Sequence, residues 1–203
     1  MDKFKGILFA ALSAATFGLI PLYANQAILD GVFNETILVY RYGIAGIVYA
    51  IYLLLRRMNM RLTRREVKEV SLAGVGGYGI TAFFLMWSYH YMPTGVATAI
   101  HFFYPVVVAL LMAIFYKERL PLEVKAGIVL AICGVYLLSW TPGEVKWLGL
   151  FFVLMSTVTY GCYITALNRP VLKRMNPDVL TCYVLLFTAR DPGSCWTWCS
   201  WLY

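Results

Sequence analysis

Between Thr94 and Pro121 the chain reads TGVATAIHFFYPVVVALLMAIFYKERLP, and from Gly95 to Tyr116 it carries no charge beyond whatever His101 holds. Those twenty-two residues rise about 33 Å as a helix, enough to cross a hydrocarbon core of about 30 Å. The run stops at Lys117-Glu118-Arg119, followed by Pro121. Two features exceed what a passive anchor needs. Pro105 removes a backbone donor in mid-span, and His101 and Tyr104 set polar tips one helical turn apart on the same face.

Composition extends the argument to the whole chain. Of 203 residues 61% are hydrophobic and 13% charged, against roughly 25% charged in ordinary soluble domains. The expected fold is all-α, a polytopic transmembrane helix bundle in contact with the lipid bilayer. A net charge of +7 would suggest nucleic acid in a soluble protein. Here the basic residues fall in short loops between apolar runs, so membrane topology accounts for them and no nucleic acid is expected. Cys133, Cys162 and Cys182 lie singly in apolar runs, where a small hydrophobe is their ordinary role. Cys195 and Cys199 have no partner pair or histidine beside them, so no metal, cofactor or disulfide framework is expected.

The first span covers residues 6–29. A signal peptide is its rival, but the apolar run outlasts an h-region of about 7–15 residues. The second span, 37–55, holds Arg41 near its start and leads into a loop with Arg56, Arg57, Arg61, Arg64, Arg65 and Lys68. The third, 70–92, opens with GVGGYG at Gly74–Gly79. A dinucleotide loop would need a preceding strand and a βαβ unit, so close helix packing is the better account of these glycines. The fourth span is the stretch above. The fifth, 124–140, carries a stripe of Gly127, Ala131 and Gly134 and ends at Thr141-Pro142-Gly143. The sixth covers 147–167. A seventh begins near Val179 and is interrupted after Ala189 by Arg190-Asp191-Pro192-Gly193. With the amino terminus cytoplasmic, fourteen of the seventeen lysines and arginines fall on the cytoplasmic side, the bias expected of a multi-pass cell-membrane protein.

A shift of 143 positions lays the sixth span on the first. Gly6, Ser13, Thr16, Gly18 and Asn25 then fall on Gly149, Ser156, Thr159, Gly161 and Asn168, with Phe17 on Tyr160 and Tyr40 on Tyr183. Similar apolar helices give some such matches by chance, but polar and glycine matches held without a gap favour duplication. A unit of five spans crosses the membrane an odd number of times, so its second copy is inverted, an architecture of secondary transporters.

The sequence resembles the EamA family of the drug/metabolite transporter superfamily. The matching residues are Phe17-Gly18, Arg41, Pro105 with Lys117-Glu118-Arg119-Leu120, Gly127 and Gly134, then Gly149 with Tyr160-Gly161. The resemblance implies a ten-helix carrier of two inverted five-helix repeats, both termini cytoplasmic, moving small metabolites such as amino-acid, nucleoside or drug-like solutes. Residues 4–140 would form the first repeat and 147–188 the start of the second. Residues 189–203, rich in Cys and Trp, depart from this pattern. A frameshift or premature stop after about Thr188 is one account of them, an interfacial aromatic tail the other.

Polar side chains inside spans are costly unless paired or facing a wet cavity, and so are the first candidates for function. Arg41 either lines an anionic route, or snorkels to the outer surface or pairs with Glu35. His101 and Tyr104 descend from the outer end of the fourth span, and Trp87 and His90 share a face near the outer end of the third. Tyr40, Tyr160 and Tyr163 complete the substrate-contact candidates, although packing and aromatic belts account for many such residues. Pro105 is a candidate hinge; a plain kink tolerated by its neighbours is the alternative. An intramembrane enzyme would need a nucleophile and base facing one another, and Ser13, Ser88 and the two histidines form no recognisable set. The third possibility is a fragment or assembly subunit that needs a second chain. A homodimer is left open.

Overall fold

The structure, a computed structural model, describes residues 2–115, 117, 121–139 and 146–190. The Glu118–Arg119 pair, the Thr141-Pro142-Gly143 turn and the Cys/Trp-rich segment from Asp191 onward lie outside the described residues. Every regular element among those described is helical: α1 Asp2–Leu29, α2 Asn34–Leu55, α3 Arg64–Ser71, a π-helical stretch Leu72–Gly79, α4 Ile80–Ser88, α5 Thr94–His101, α6 Tyr104–Phe115, α7 Leu122–Ser139, α8 Trp147–Ala166, α9 Pro170–Lys173 and α10 Pro177–Arg190. Among the described residues four helical runs are long and apolar enough to cross a membrane: Asn34–Leu55, Arg64–Ser88, Thr94–Phe115 and Trp147–Ala166. The protein is an all-α, polytopic membrane helix bundle.

Local chemistry explains where these helices begin and end. α1 closes on Gly31, whose φ of 82° suits a residue without a Cβ. Val32 N there bonds to Ala27 O and Gly31 N to Ile28 O, which satisfies the last carbonyls. The third span starts six residues earlier than its apolar run suggests. Thr63 and Glu66 form a capping box, with Thr63 N donating to Glu66 Oε2 at 2.7 Å and Glu66 N to Thr63 Oγ1 at 3.3 Å. That pattern, Thr-x-x-Glu, stabilises a helix start even among arginines.

GVGGYG lies within the π-helical stretch and packs closely against two neighbours. Gly74 abuts the backbone of Val184 on α10, and Gly77 abuts Tyr163 on α8. Thr188 Oγ1 donates to Gly74 O at 3.0 Å. Small residues let backbones approach where lipid offers no hydrophobic drive for association. The stripe on α7 is different: a Cβ at Gly127 or Gly134 would meet nothing within 4 Å.

The fourth span is not one continuous helix. It breaks at Phe102–Phe103, where Phe103 N bonds to Ile100 O and Val106 N to Phe103 O, three residues back rather than four. Pro105 has no N–H to offer the carbonyl of His101, which is why the break falls there.

Contacts at the helix ends give the relative directions. α2 begins beside the end of α4, where Asn34 meets His90, and ends against Val179 at the start of α10. α10 returns to place Ala189 in the cluster of Leu38 and Tyr42 near the start of α2. α8 begins beside Tyr91, whose carbonyl accepts from Lys146 N at 3.2 Å, and ends where Arg169 meets Glu69 of α3. The late turns of α1, through Ala24 and Ile28, lie in the same cluster as Tyr89. α2 and α10 therefore run antiparallel, and α1 ends at the face of the bundle where α8 begins. Arg56–Lys68 and Arg169–Arg174 lie together at the other face, the basic end.

Two clusters seal the basic end. Val70, Ala73, Leu172 and Val184 form one, and Leu53, Val179 and Cys182 the other. Met58, Met60 and Leu62 of the basic loop tuck onto the second cluster, and Tyr183 donates its hydroxyl to Met60 O at 2.8 Å. The loop's arginines stay exposed.

Candidate functional site

Above that seal lies a cavity of about 410 Å³ walled by α1, α2, the π-helical stretch with α4, the α5–α6 break and α8. Pro21 and Ala24 supply the α1 wall, Arg41 and Tyr42 that of α2, and Tyr160 that of α8. One side is a single helical stripe: Tyr78, Thr81, Ala82, Leu85, Met86 and Tyr89 recur every three or four residues. Thr98, His101, Phe102 and Tyr104 close the remaining side.

Tyr78 is the centre of an aromatic floor. Its ring centroid lies 5.3 Å from that of Tyr42, 5.5 Å from Tyr163 and 6.4 Å from Tyr160. Tyr104 meets Tyr160 edge-on at 4.7 Å, and the His101 ring lies 5.4 Å from Tyr160 and 6.0 Å from Tyr104. Edge-on and tilted pairs at these distances place the positive rim of one ring near the negative face of another. The widened turn of the π-helical stretch, with Gly77 against Tyr163, holds Tyr78 in this position.

Polar atoms in the walls are tied to the scaffold. His101 Nδ1 and Ser156 Oγ are 2.9 Å apart, and Ser156 also donates to Val153 O at 2.7 Å. Thr98 gives its proton to Thr94 O at 2.7 Å, which makes Tyr89 OH the donor in their 3.2 Å contact. Thr81 Oγ1 lies 2.9 Å from both Gly77 O and Thr159 Oγ1. Arg41 is half-buried with its Cζ 5.2 Å from the Tyr42 ring centroid, within cation–π range. Among the described residues it is the one charged side chain in the lining.

Of the residues expected to contact solute, Arg41, His101, Tyr104 and Tyr160 come together in this cavity. Trp87 and His90 line a separate, more open vestibule of about 820 Å³ with Asn34, Glu35 and Tyr91. There the Asn34 amide meets His90 Nε2 at 3.0 Å. Trp87 Nε1 beneath it is the one buried side-chain nitrogen or oxygen without a partner among the described residues. Tyr163 lies under the floor, packed on Tyr78 and Gly77. Tyr40 points away from the bundle, 65% exposed. Pro105 sits at the helix break and is itself exposed. The sequence reading passed over Pro21, Tyr42, Tyr78, Thr81, Tyr89 and Thr98. For Tyr78, Thr81 and Tyr89 the signal was present in their spacing on one helical face. No group of three or more His, Cys, Asp or Glu side chains among the described residues is placed to hold a metal.

An aromatic, hydroxyl-bearing chamber is thus set between helices long and apolar enough to cross a membrane. Residues 4–140, two thirds of the chain, match the EamA-like transporter family, and the chain belongs to it. An uncharacterized transporter of Archaeoglobus fulgidus is 30% identical over 141 residues, 70% of this chain and 49% of the relative. A probable terminal-alkyne amino-acid exporter of Streptantibioticus cattleyicolor is 28% identical over 122 residues, 60% of this chain and 41% of the relative. The chain thus spans about half the length of the curated relatives it matches. No solved structure matches it.

Proposed function

We propose that this chain moves small metabolites across the cell membrane by alternating access, with its amino terminus cytoplasmic and the 410 Å³ cavity as the solute site. The observation that carries the reading is the cavity's position. Its walls come from helices of the 4–140 stretch and from Tyr160 of α8, which opens the later stretch 147–188. The 143-residue offset and the opposed directions of α2 and α10 support an inverted pair of repeats. A carrier of that kind rocks one repeat against the other around a fixed midplane site. Arg41, His101 and Tyr104 are the first solute contacts, and the break before Pro105 is the hinge. The Streptantibioticus relative, named as an amino-acid exporter, puts amino acids in the test panel beside nucleosides and drug-like solutes.

A catalytic role is the weaker reading. The His101–Ser156 pair is the nearest thing to a base and nucleophile, yet Ser156 is fully buried and bonded to Val153 O.

Uptake of radiolabelled amino acids, nucleosides and small organic anions into inverted vesicles tests the main reading. Vesicles carrying the protein should exceed empty ones for at least one solute, and Arg41→Ala should abolish the excess. Equality across a broad panel would contradict it.

A further inference from the structure

We propose that the cavity takes a small organic monoanion with a flat, apolar body and no ammonium group, its carboxylate held by Arg41. The inference rests on the reading of this cavity as the solute site and narrows what that site accepts.

Charge is the first argument. Among the described residues Arg41 is the one charged residue in the lining, and the one ion pair joins Arg169 to Glu69 at the basic end. Arg41 therefore has the Tyr42 ring beside it but no ion-pair partner among those residues. A half-buried cation has less water around it than an exposed one, and a ligand anion supplies the countercharge it lacks. The guanidinium is a planar fork that matches the two oxygens of a carboxylate.

The second argument concerns the opposite sign. No aspartate or glutamate among the described residues lines the cavity, and Glu35 belongs to the separate vestibule. The faces of Tyr42, Tyr78, Tyr104 and Tyr160 would attract a cation, which makes an amine the serious competitor. Arg41 already sits over Tyr42, however, and its charge opposes a second cation in the same low-dielectric space. A zwitterion would gain at its carboxylate and lose at its ammonium.

Shape is the third. The rings of Tyr42, Tyr78, Phe102, Tyr104 and Tyr160, together with Ile20, Leu85 and Met86, line a space suited to a ring or short branched chain. A volume of about 410 Å³ falls within the ordinary range for small-molecule sites.

Phenylacetate, phenylalanine and phenethylamine share a benzyl body and differ in head-group charge, so they isolate the claim. Binding of each radiolabelled compound to the purified full chain in detergent is measured first, and counterflow in proteoliposomes second. Phenylacetate should bind about tenfold or more tightly than the other two, and Arg41→Gln should lose about tenfold. Arg41→Lys, which keeps the charge without the fork, should fall between. Melting curves show that each variant is folded. Tighter binding of phenylalanine or phenethylamine overturns the proposal, as does no binding of phenylacetate or binding indifferent to Arg41→Gln. Phenylacetate that binds yet never crosses upholds the ligand class and contradicts the carrier reading instead.

Discussion

Gly77 and Tyr163 press against each other so closely that a Cβ on Gly77 would stand 2.9 Å from the Cβ of Tyr163, 3.1 Å from its Cδ2 and 3.4 Å from its Cα. That contact ties the π-helical stretch to α8 and sets Tyr78 in the cavity floor. Gly77→Ala should cost about 1–3 kcal/mol through overpacking against a rigid ring. Gly76 is the internal control, because its Cβ would meet only Leu72 Cδ1 at 3.4 Å. Gly76→Ala should leave the melting midpoint in detergent unchanged or slightly raised. Equal losses from both would mean the glycines serve backbone conformation rather than this contact.

Ser156→Ala removes the hydrogen-bond partner of His101 Nδ1 in a buried site. Leaving that nitrogen without a partner should cost about 1–3 kcal/mol. Replacing both residues, as His101→Phe with Ser156→Ala, should cost less than the sum of the two single changes, since no orphan remains. Thermal melting of the four proteins in a double-mutant cycle reads the difference, and strict additivity would show that the two side chains are not coupled.

The Arg169–Glu69 pair at 3.0 Å is half-exposed on the arginine side. Its disruption by Glu69→Gln should therefore cost under about 1 kcal/mol and diminish further at high salt. Its value is geometric, because it places the ends of α3 and α8 at one face. Cysteines introduced at Arg61 and Lys173 should react with an impermeant maleimide from the same side of the membrane. Labelling from opposite sides would break both the helix count and the inverted repeat.

Much of the bundle is legible in the sequence because lipid imposes a coarse, strong rule: long apolar runs become helices, and charges fall between them. α8 begins at Trp147, as its apolar run indicates, while the break expected after Ala189 lies at the edge of the described residues. Departures come where local chemistry competes. Thr63 and Glu66 extend the third span into arginine-rich sequence, and the missing N–H of Pro105 splits the fourth. The cavity was legible only in part. Arg41, His101, Tyr104 and Tyr160 attract notice as polar groups in apolar surroundings. Tyr40 attracts the same notice, yet it faces away, because adjacent positions on a helix point about 100° apart and Arg41 and Tyr42 take the inward arc. Tyr78 was hidden among glycines whose packing role was visible while the ring's was not. Its stripe with Thr81, Leu85 and Tyr89 needed the neighbouring helices to show which face turns inward.

The central claim is that one cavity between opposed helices serves both sides of the membrane. With the native cysteines replaced, a single cysteine at Tyr160 is to be probed with a small impermeant thiol reagent in right-side-out and inverted vesicles, beside Arg61→Cys as a one-sided control. The account predicts that Tyr160→Cys reacts from both faces while Arg61→Cys reacts only from the cytoplasmic one. Reaction of Tyr160→Cys from a single face, under every condition tried, would contradict it.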